Sequence, residues 1–215
     1  MSVNKYSLKA DGRKRLSADF TVSEFACRDG SDDILIDSDL VETLQKIRSH
    51  FGKPLHVTSG YRTPNHDKAV GGSGKGYHTK GMAADIWVSD TDICKVAYYA
   101  DEISDGLGGL ELAPFDGGDY LHIDTRKGRW RALLVRTGNG YENFGRLFPN
   151  VKIGSEGQGV CLLQKMLEKF GFECAFDGKF GNETEGALKK YQKANGLEAD
   201  GICGPLTWKN IIEKL

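Results

Sequence analysis

A stretch rich in glycine and asparagine, TGNGYENFGRLFPNVKIGSE, interrupts the sequence at residues 137–156 and contains Pro149. Residues of these types favour turns and irregular backbone over helices and strands. We therefore predict that one domain ends here, and we place it at residues 1–146, a linker at 147–155 and a smaller module at 156–215. A chain of 215 residues has room for one medium domain and one such module.

Hydrophobic periodicity predicts an α+β fold for the first domain. SDLVETLQKIRSHFG has apolar residues at helical spacing, with Ser38 or Asp39 as the candidate N-cap and Gly52 as the candidate end. DTDICKVAYYADEI also has helical periodicity. The segments PLHVTSGYR, AADIWV, DYLHIDTR and RWRALLVR are typical of short strands. Together they predict a small mixed domain with a central antiparallel sheet and flanking helices.

Three helices are predicted for the second module. GQGVCLLQKMLEKFGF is amphipathic, and each of the two later helices follows a DG turn, at Asp177-Gly178 and at Asp200-Gly201. A G-x-x-T sequence follows each turn, and Pro205 stands at the start of the last helix. This repeated order predicts a weak internal repeat inside a three-helix module.

Composition argues against several classes of protein. The formal net charge is −1 and the pI is near 6.5, so no charge excess indicates nucleic acid or an anionic membrane as a partner. No apolar run approaches the roughly 20 residues of a membrane span, and the N-terminal segment lacks the apolar core of a signal peptide. We therefore expect synthesis in the cytoplasm.

The five cysteines are scattered without a C-x-x-C motif, which favours small buried residues over disulfides or a cysteine zinc site.

The segment GYHTKGMAADIWV places a carboxylate, Asp85, in an apolar run seven residues after His78. A carboxylate in such surroundings needs a compensating partner. His122 in DYLHIDTR is a third candidate, since two histidines and one carboxylate form an ordinary set of zinc ligands. Three protein ligands leave a fourth position open for water, as catalytic zinc requires. The sequence therefore predicts a catalytic Zn²⁺ site.

Such a site also needs a base that is not a ligand, and Asp119 and Asp124 both flank His122. On a regular strand Asp124 shares a face with His122, because side chains alternate with period two. Asp119 reaches that face only if the chain is still turning there, which Gly117 and Gly118 permit. Spacing alone slightly favours Asp124.

A family resemblance reverses this preference. SGYRTPNHDKAVGGSGKGYHTKGMAADI and DYLHID resemble the zinc D-alanyl-D-alanine carboxypeptidases, the VanY-like metallopeptidases of peptidoglycan. The resemblance runs from about Phe20 to Arg131. The family pattern is SGYR, then H-x6-D, then an acid three residues before a second histidine.

Carried over by position, the resemblance implies three zinc ligands: His78, Asp85 and His122. It implies that Asp119 is the catalytic acid/base and that Arg62 holds substrate oxygens. Asp124 is then expected to orient a ligand histidine or to be structural. The chain departs from many relatives at Gly76, where they carry a serine.

The second module carries its own resemblance. GVCLLQKMLEKFGFECAFDGKFGNETEGALKKYQKANGLEADGICGPLTW resembles the peptidoglycan-binding domain of bacterial and phage wall hydrolases, through LQ, YQ, both DG turns and the closing G-x-x-TW. The two resemblances imply a zinc peptidase of the D-Ala-D-Ala carboxypeptidase type that hydrolyses a stem-peptide bond of peptidoglycan. This architecture fits a phage or prophage endolysin that a holin releases to the cell wall.

Three alternatives remain open from the sequence. An L-Ala-D-Glu endopeptidase or an L,D-carboxypeptidase would use the same site. A non-catalytic wall-binding protein with a relic site would keep the second module without the chemistry.

Overall fold

The computed structural model describes residues 2–104, 108–113, 119–133, 135, 142–143 and 146–215. Contacts divide the chain into two units, Met1–Glu111 with Tyr120–Trp130, and Leu112–Asp119 with Arg131–Leu215. Part of the predicted boundary stretch, residues 137–141 and 144–145, lies outside the described residues. The predicted limits at residues 146 and 155 therefore stay predictions.

Strands and helices alternate through the first part of the described chain, and helices follow. The strands are β1 (Val3–Ser7), β2 (Asp33–Asp37), β3 (Leu55–Ser59), β4 (Ala83–Val88), β5 (Gly108–Ala113), β6 (Tyr120–Asp124), β7 (Arg129–Leu133) and β8 (Glu142–Asn143). The helices are α1 (Leu8–Asp11), α2 (Ser38–Phe51), α3 (Pro64–Ala69), α4 (Ile93–Ile103), α5 (Gln158–Lys169), α6 (Asn182–Ala194) and α7 (Pro205–Lys214). Short 3-10 helices lie at Val22–Phe25 and His78–Lys80.

Two sheets result from these strands. β1 and β2 form an antiparallel pair, and the other strands form a sheet in the order β3-β4-β6-β5-β7-β8. The β3–β4, β4–β6 and β7–β8 pairs are antiparallel. The predicted α+β class, with a central antiparallel sheet and three C-terminal helices, is confirmed. The β1–β2 sheet was not predicted.

The limits of α2 follow from the residues at its ends. Its N-cap is Asp37, whose carboxylate accepts a hydrogen bond from Asp39 N at 3.3 Å. The prediction of Ser38 or Asp39 as N-cap is wrong, because the last residue of β2 is extended and caps the helix directly. Gly52 ends the helix as predicted, with a φ of 61°.

The first unit's sheet has a buried face and a face that carries polar groups. Alternate residues of β4 and β6 are buried: Ala84, Ile86, Val88, Leu121 and Ile123. Helices α2 and α4 contact β4, and α4 also contacts β6, so these helices contribute to the core. Asp85 and His122 fall on the opposite face, because successive side chains of a strand point to opposite sides.

In the second unit, residues of the predicted linker contact the C-terminal helices. The buried Trp208 side chain donates from Nε1 to Pro149 O at 2.8 Å. Val151 and Cys203 exchange backbone hydrogen bonds of 3.2 and 2.9 Å. Much of the stretch predicted to be a linker is therefore packed against the helical module.

A buried glutamine holds each DG turn of this module: Gln164 for the first and Gln192 for the second. The amide of each glutamine lies within hydrogen-bond distance of the turn aspartate, a carbonyl two residues later and the threonine of G-x-x-T. The acceptors are Asp177 Oδ1, Lys179 O and Thr184 Oγ1 at 3.0, 3.2 and 3.1 Å, and Asp200 Oδ1, Ile202 O and Thr207 Oγ1 at 2.8, 3.1 and 3.3 Å. The glutamine oxygens accept from Gly178 N and Gly201 N at 2.9 and 3.0 Å. The predicted internal repeat is confirmed, and it includes the glutamines of LQ and YQ.

All five cysteines are free, and four of them are buried: Cys27, Cys94, Cys161 and Cys203. This agrees with the expectation of small buried residues. Among the described residues, no helix combines the length and the apolar character that crossing a bilayer requires.

Candidate metal centre

A loop and two neighbouring strands bring the three predicted ligands together. His78 begins the 3-10 helix His78–Lys80, and Gly81, where φ is 70°, is its C-cap. A Cβ at Gly81 would lie 2.3 Å from Leu35 O, so both the backbone angle and the close approach require glycine. The chain then enters β4, where the antiparallel register places Asp85 directly opposite His122 of β6.

The candidate ligand atoms form a compact triangle. His78 Nε2 lies 3.2 Å from His122 Nδ1 and 3.3 Å from Asp85 Oδ1. His122 Nδ1 lies 2.8 Å from the same Asp85 oxygen. Zinc bonds of about 2.0–2.2 Å at tetrahedral angles separate neighbouring ligand atoms by about 3.3 Å. The three atoms therefore fit around one tetrahedral ion that keeps a fourth position open.

Hydrogen bonds at the other ring nitrogens indicate which atoms are unprotonated. His78 Nδ1 lies 2.7 Å from Gly60 O, which only accepts, so Nδ1 donates and Nε2 keeps its lone pair. With a metal ion bound, His122 Nε2, which lies 3.4 Å from Asp124 Oδ2, would carry the proton and Nδ1 would offer its lone pair. Two nitrogen lone pairs and the Asp85 carboxylate then face one another. This convergence is unfavourable unless a cation or an added proton lies among them.

The two carboxylates beside His122 determine its protonation in the metal-free protein. Burial lowers the pKa of His122, but hydrogen bonds to Asp124 and Asp85 outweigh it and raise the pKa to about 9. Burial raises the pKa of Asp85, but hydrogen bonds to His122 and His78 leave it well below its ordinary value. A proton and a metal ion compete for the same lone pair of His122. The site therefore binds positive charge whether the occupant is a proton or a metal ion.

Arg62 holds the second oxygen of the candidate ligand Asp85. Its Nη2 donates to Asp85 Oδ2 at 2.6 Å, its Nε donates to Ser59 Oγ at 2.7 Å, and its Nη1 lies 3.4 Å from Asp67 Oδ1. Asp85 is thus oriented with one oxygen toward the imidazoles and the other toward the guanidinium. The sequence did not predict this contact. Arg62 also lines the cleft, and its predicted contact with substrate oxygens stays a prediction.

The two candidate bases differ in exposure. The Asp124 side chain is 0% exposed, and its carboxylate accepts from Gly109 N at 3.1 Å and from Arg126 N at 2.9 Å. Burial raises the pKa of Asp124, but hydrogen bonds with His122 and Arg126 outweigh it and lower the pKa well below the usual range. Asp119 is exposed and directly precedes β6. Its role as acid/base stays a prediction, and so does the orienting role of Asp124.

The ligand triangle opens into a cleft of about 510 Å³ that includes side chains missed by the sequence reasoning. Glu111, Tyr120 and Arg126 line it, and Tyr120 Oη lies 3.5 Å from Glu111 Oε1. Glu111 had a usable signal, because it is a lone carboxylate between leucines in LELA, as Asp85 is among apolar residues. Gly76 also lines the cleft, and a Cβ there would meet no atom within 4 Å.

A family model described as Peptidase M15 matches residues 17–124, half of the chain. The chain belongs to the Peptidase M15 family. The region matched contains every residue of the ligand triangle. A second model, described as a putative peptidoglycan binding domain, matches residues 156–211 of this M15 chain. The two resemblances identified from the motifs are thus confirmed.

Curated relatives match this M15 chain only in part. It is 41% identical over 63 residues to the zinc D-Ala-D-Ala carboxypeptidase of Streptomyces albus G, covering 28% of the chain and 25% of that protein. It is 46% identical over 56 residues to the N-acetylmuramoyl-L-alanine amidase CwlM of Mycobacterium tuberculosis, covering 26% of the chain and 14% of that protein. The chain thus spans a quarter or less of these relatives.

Solved structures also match over short segments. The Burkholderia AP3 phage endolysin is 35% identical over 29% of the chain and 24% of the endolysin, with a TM-score of 0.29. The SleB N-terminal domain is 32% identical over 31% of the chain and 93% of that domain, with a TM-score of 0.30. TM-scores this low support no conclusion about fold or function.

Proposed function

We propose that this protein is a zinc-dependent peptidase that hydrolyses a stem-peptide bond of peptidoglycan. The observation that carries the proposal is the convergence of His78 Nε2, Asp85 Oδ1 and His122 Nδ1 within 3.3 Å of one another in the M15 domain. The peptidoglycan-binding domain supports peptidoglycan as the partner. Attachment through that domain would raise the local concentration of stem peptides without adding contacts at the cleft.

The three converging atoms would hold the zinc ion. A bound zinc ion supplies positive charge that polarises the scissile carbonyl and lowers the pKa of the attacking water to about 7. Arg62 keeps Asp85 in its ligand orientation through the 2.6 Å hydrogen bond. The family resemblance implies that Arg62 also donates to the negative charge that develops on the carbonyl oxygen.

Asp119 is the proposed acid/base, on the strength of the family pattern. It would take a proton from the attacking water and return it to the leaving amine. Asp124 is a poorer candidate, because its enclosed carboxylate already accepts several hydrogen bonds. Glu111 is the competitor that the structure adds, since it lines the cleft with the ligands.

We further propose that the bond cut is the D-Ala-D-Ala bond. The D-Ala-D-Ala carboxypeptidase type is supported by the name of the Streptomyces albus G relative. L-Ala-D-Glu endopeptidase and L,D-carboxypeptidase activities need the same ligands and differ only in how the peptide lies in the cleft. A role as a phage or prophage endolysin is supported by the pairing of an M15 domain with a peptidoglycan-binding domain.

Mass spectrometry of the products released from purified peptidoglycan tests the proposal and identifies the bond. We expect the zinc-loaded protein to release a single class of stem-peptide product and the chelated protein to release none. If zinc-loaded protein binds the wall but cleaves nothing, the non-catalytic alternative is correct.

A pair of carboxylate variants tests the base in the same assay. Asp119→Asn should retain zinc and lose about 10²–10⁴-fold in kcat, as loss of a general acid/base does. Glu111→Gln should retain more activity than Asp119→Asn. The reverse order would assign the base to Glu111.

A further inference from the structure

Arg126 lies in the cleft with part of its guanidinium uncommitted. Its Nε donates to Asp124 at 2.8 Å, and its Nη2 also contacts the Asp124 carboxylate. Among the described residues, Nη1 makes no hydrogen bond, so two N–H groups remain available. The side chain is 20% exposed and lines the cleft that holds the candidate zinc ligands.

Aromatic rings hold this guanidinium in place. Its central carbon lies 4.5 Å from the ring centroid of Tyr77 and 4.4 Å from that of Trp130. Tyr77 itself lines the cleft. A guanidinium fixed by two rings and by the buried Asp124 loses little conformational entropy when it binds a ligand. Arg126 is therefore a preorganised donor.

Arg62 and Arg126 are engaged differently. Each of the three nitrogens of Arg62 already faces a side-chain acceptor, and one of these acceptors is the ligand Asp85. Within the part of the chain that the structure describes, the side-chain hydrogen bonds of Arg126 all go to Asp124 and leave its terminal nitrogen Nη1 open. An open terminal nitrogen of arginine is suited to a carboxylate. Glu111 lines the same cleft, but among the described residues no hydrogen bond joins it to Arg126.

We propose that Arg126 binds a carboxylate of the stem peptide through Nη1 and so determines which peptide bond reaches the metal centre. The proposal rests on the proposed function. Stem peptides offer two sources for this group, the C-terminal carboxylate of a terminal D-alanine and the free carboxylate of D-glutamate. Binding the first places the terminal bond at the centre, as in a carboxypeptidase, and binding the second places an internal bond there.

Synthetic stem peptides test the proposal, with kcat/KM measured by mass spectrometry. Three peptides are compared: one with both carboxylates free, one with a C-terminal amide and one with the D-glutamate carboxylate amidated. We expect one of the two amidations to lower the wild-type kcat/KM by about 10- to 100-fold, as loss of a charge-assisted hydrogen bond does. In Arg126→Gln the same amidation should lower kcat/KM less than about threefold. The variant has already lost the contact with that carboxylate, so its KM for the unmodified peptide should already be raised.

Arg129→Gln is the matched control, because its guanidinium pairs with Asp101 at 3.2 Å and is 40% exposed. It should show the full wild-type penalty for amidation. If Arg126→Gln loses zinc or does not fold because Asp124 loses its partner, Arg126→Lys takes its place. The lysine ammonium can still pair with Asp124 but has no second nitrogen, so the amidation penalty should again fall.

The outcomes separate the two proposals. Cleavage of no peptide by the zinc-loaded wild type would end the proposed function. Cleavage with an equal amidation penalty in wild type and the Arg126 variant, or with no penalty in wild type, would overturn the role of Arg126 alone.

Discussion

The glutamine-held turns of the C-terminal module and the histidine–aspartate cleft of the M15 domain both contain buried polar groups, but they are satisfied differently. Around Gln164 and Gln192, each donor has a nearby acceptor and each glutamine oxygen has a donor from the chain itself. In the cleft, lone pairs of His78, Asp85 and His122 face one another. The polar groups of the turns find their partners within the chain, whereas those of the cleft require a metal ion or a proton.

This difference separates structural from functional polar clusters. A buried network in which every group has a partner contributes to stability and specifies one arrangement. A cluster of converging acceptors costs free energy unless a cation or an added proton lies among them. Removing a side chain from the first kind should affect folding, and removing one from the second should affect metal binding and activity.

Removal of a ligand should have the largest effect. His122→Ala deletes one of three ligands, so we expect loss of stoichiometric zinc and a fall in activity of at least about 10³-fold. Metal analysis and the peptidoglycan assay measure both. His56→Ala is the matched control, because His56 is exposed on β3 and stacks on Trp87. Full zinc content and activity in His122→Ala would remove the basis of the metal centre.

Removal of a turn glutamine should have the opposite profile. Gln192→Ala leaves Gly201 N and its neighbours without a partner, and we expect the free energy of unfolding to fall by about 2–4 kcal/mol. Zinc content and cleavage of small peptides should be unchanged. Chemical denaturation measures the loss, with the exposed Lys193→Ala as control, expected to change stability by less than about 0.5 kcal/mol. Loss of zinc in Gln192→Ala would show that the two clusters are not independent.

Acidification should weaken metal binding at the cleft and leave the turns unaffected. In the metal-free protein the pKa of His122 is raised from 6.5 to about 9, so below pH 9 zinc must displace a proton. The apparent zinc affinity should therefore rise about tenfold per pH unit between pH 6.5 and 8.

The raised pKa of His122 also affects the stability of the metal-free protein. A raised pKa contributes stability to the metal-free protein that is fully present below pH 6.5 and is lost as pH rises toward 9. Calorimetry in buffers of different ionisation enthalpy should detect about one proton released from His122 per zinc at pH 7. No proton release at that pH would show that His122 binds no proton in the metal-free site.

Local patterns accounted for much of the fold and for the residue types of the site. The strand-like segments AADIWV and DYLHIDTR predicted β4 and β6, and helical spacing predicted α2 and α5. The spacing of His78, Asp85 and His122 matched a family pattern, and the structure brings these residues together. These features depend on neighbours in sequence or on motifs with few alternatives.

Features that depend on distant pairing were not predictable in the same way. β1 pairs with β2 across about 30 residues, and the sequence of neither segment indicates which strand it pairs with. The contacts of Arg62 with Asp85 and of Arg126 with Asp124 depend on how loops leave β3 and β6. No local pattern gives those directions, so the contact of Arg62 with Asp85 and the positions of Arg126 and Glu111 in the cleft could not be predicted from the sequence.

The smallest effect is expected at Gly76, where the chain departs from the serine of many relatives. A Cβ at this position would meet no atom within 4 Å, and its φ is not in the left-handed region. Gly76→Ser should therefore change the free energy of unfolding by less than about 0.5 kcal/mol and leave zinc content unchanged. Its hydroxyl would enter the cleft as a new donor and acceptor, so KM should change by a fewfold while kcat stays constant.

Gly81→Ala is the contrasting variant, because φ is 70° there and the Cβ would lie 2.3 Å from Leu35 O. Its free energy of unfolding should fall by about 2–4 kcal/mol. Equal stability of the two variants in thermal unfolding would show that the turn leading from His78 into β4 does not depend on its backbone geometry.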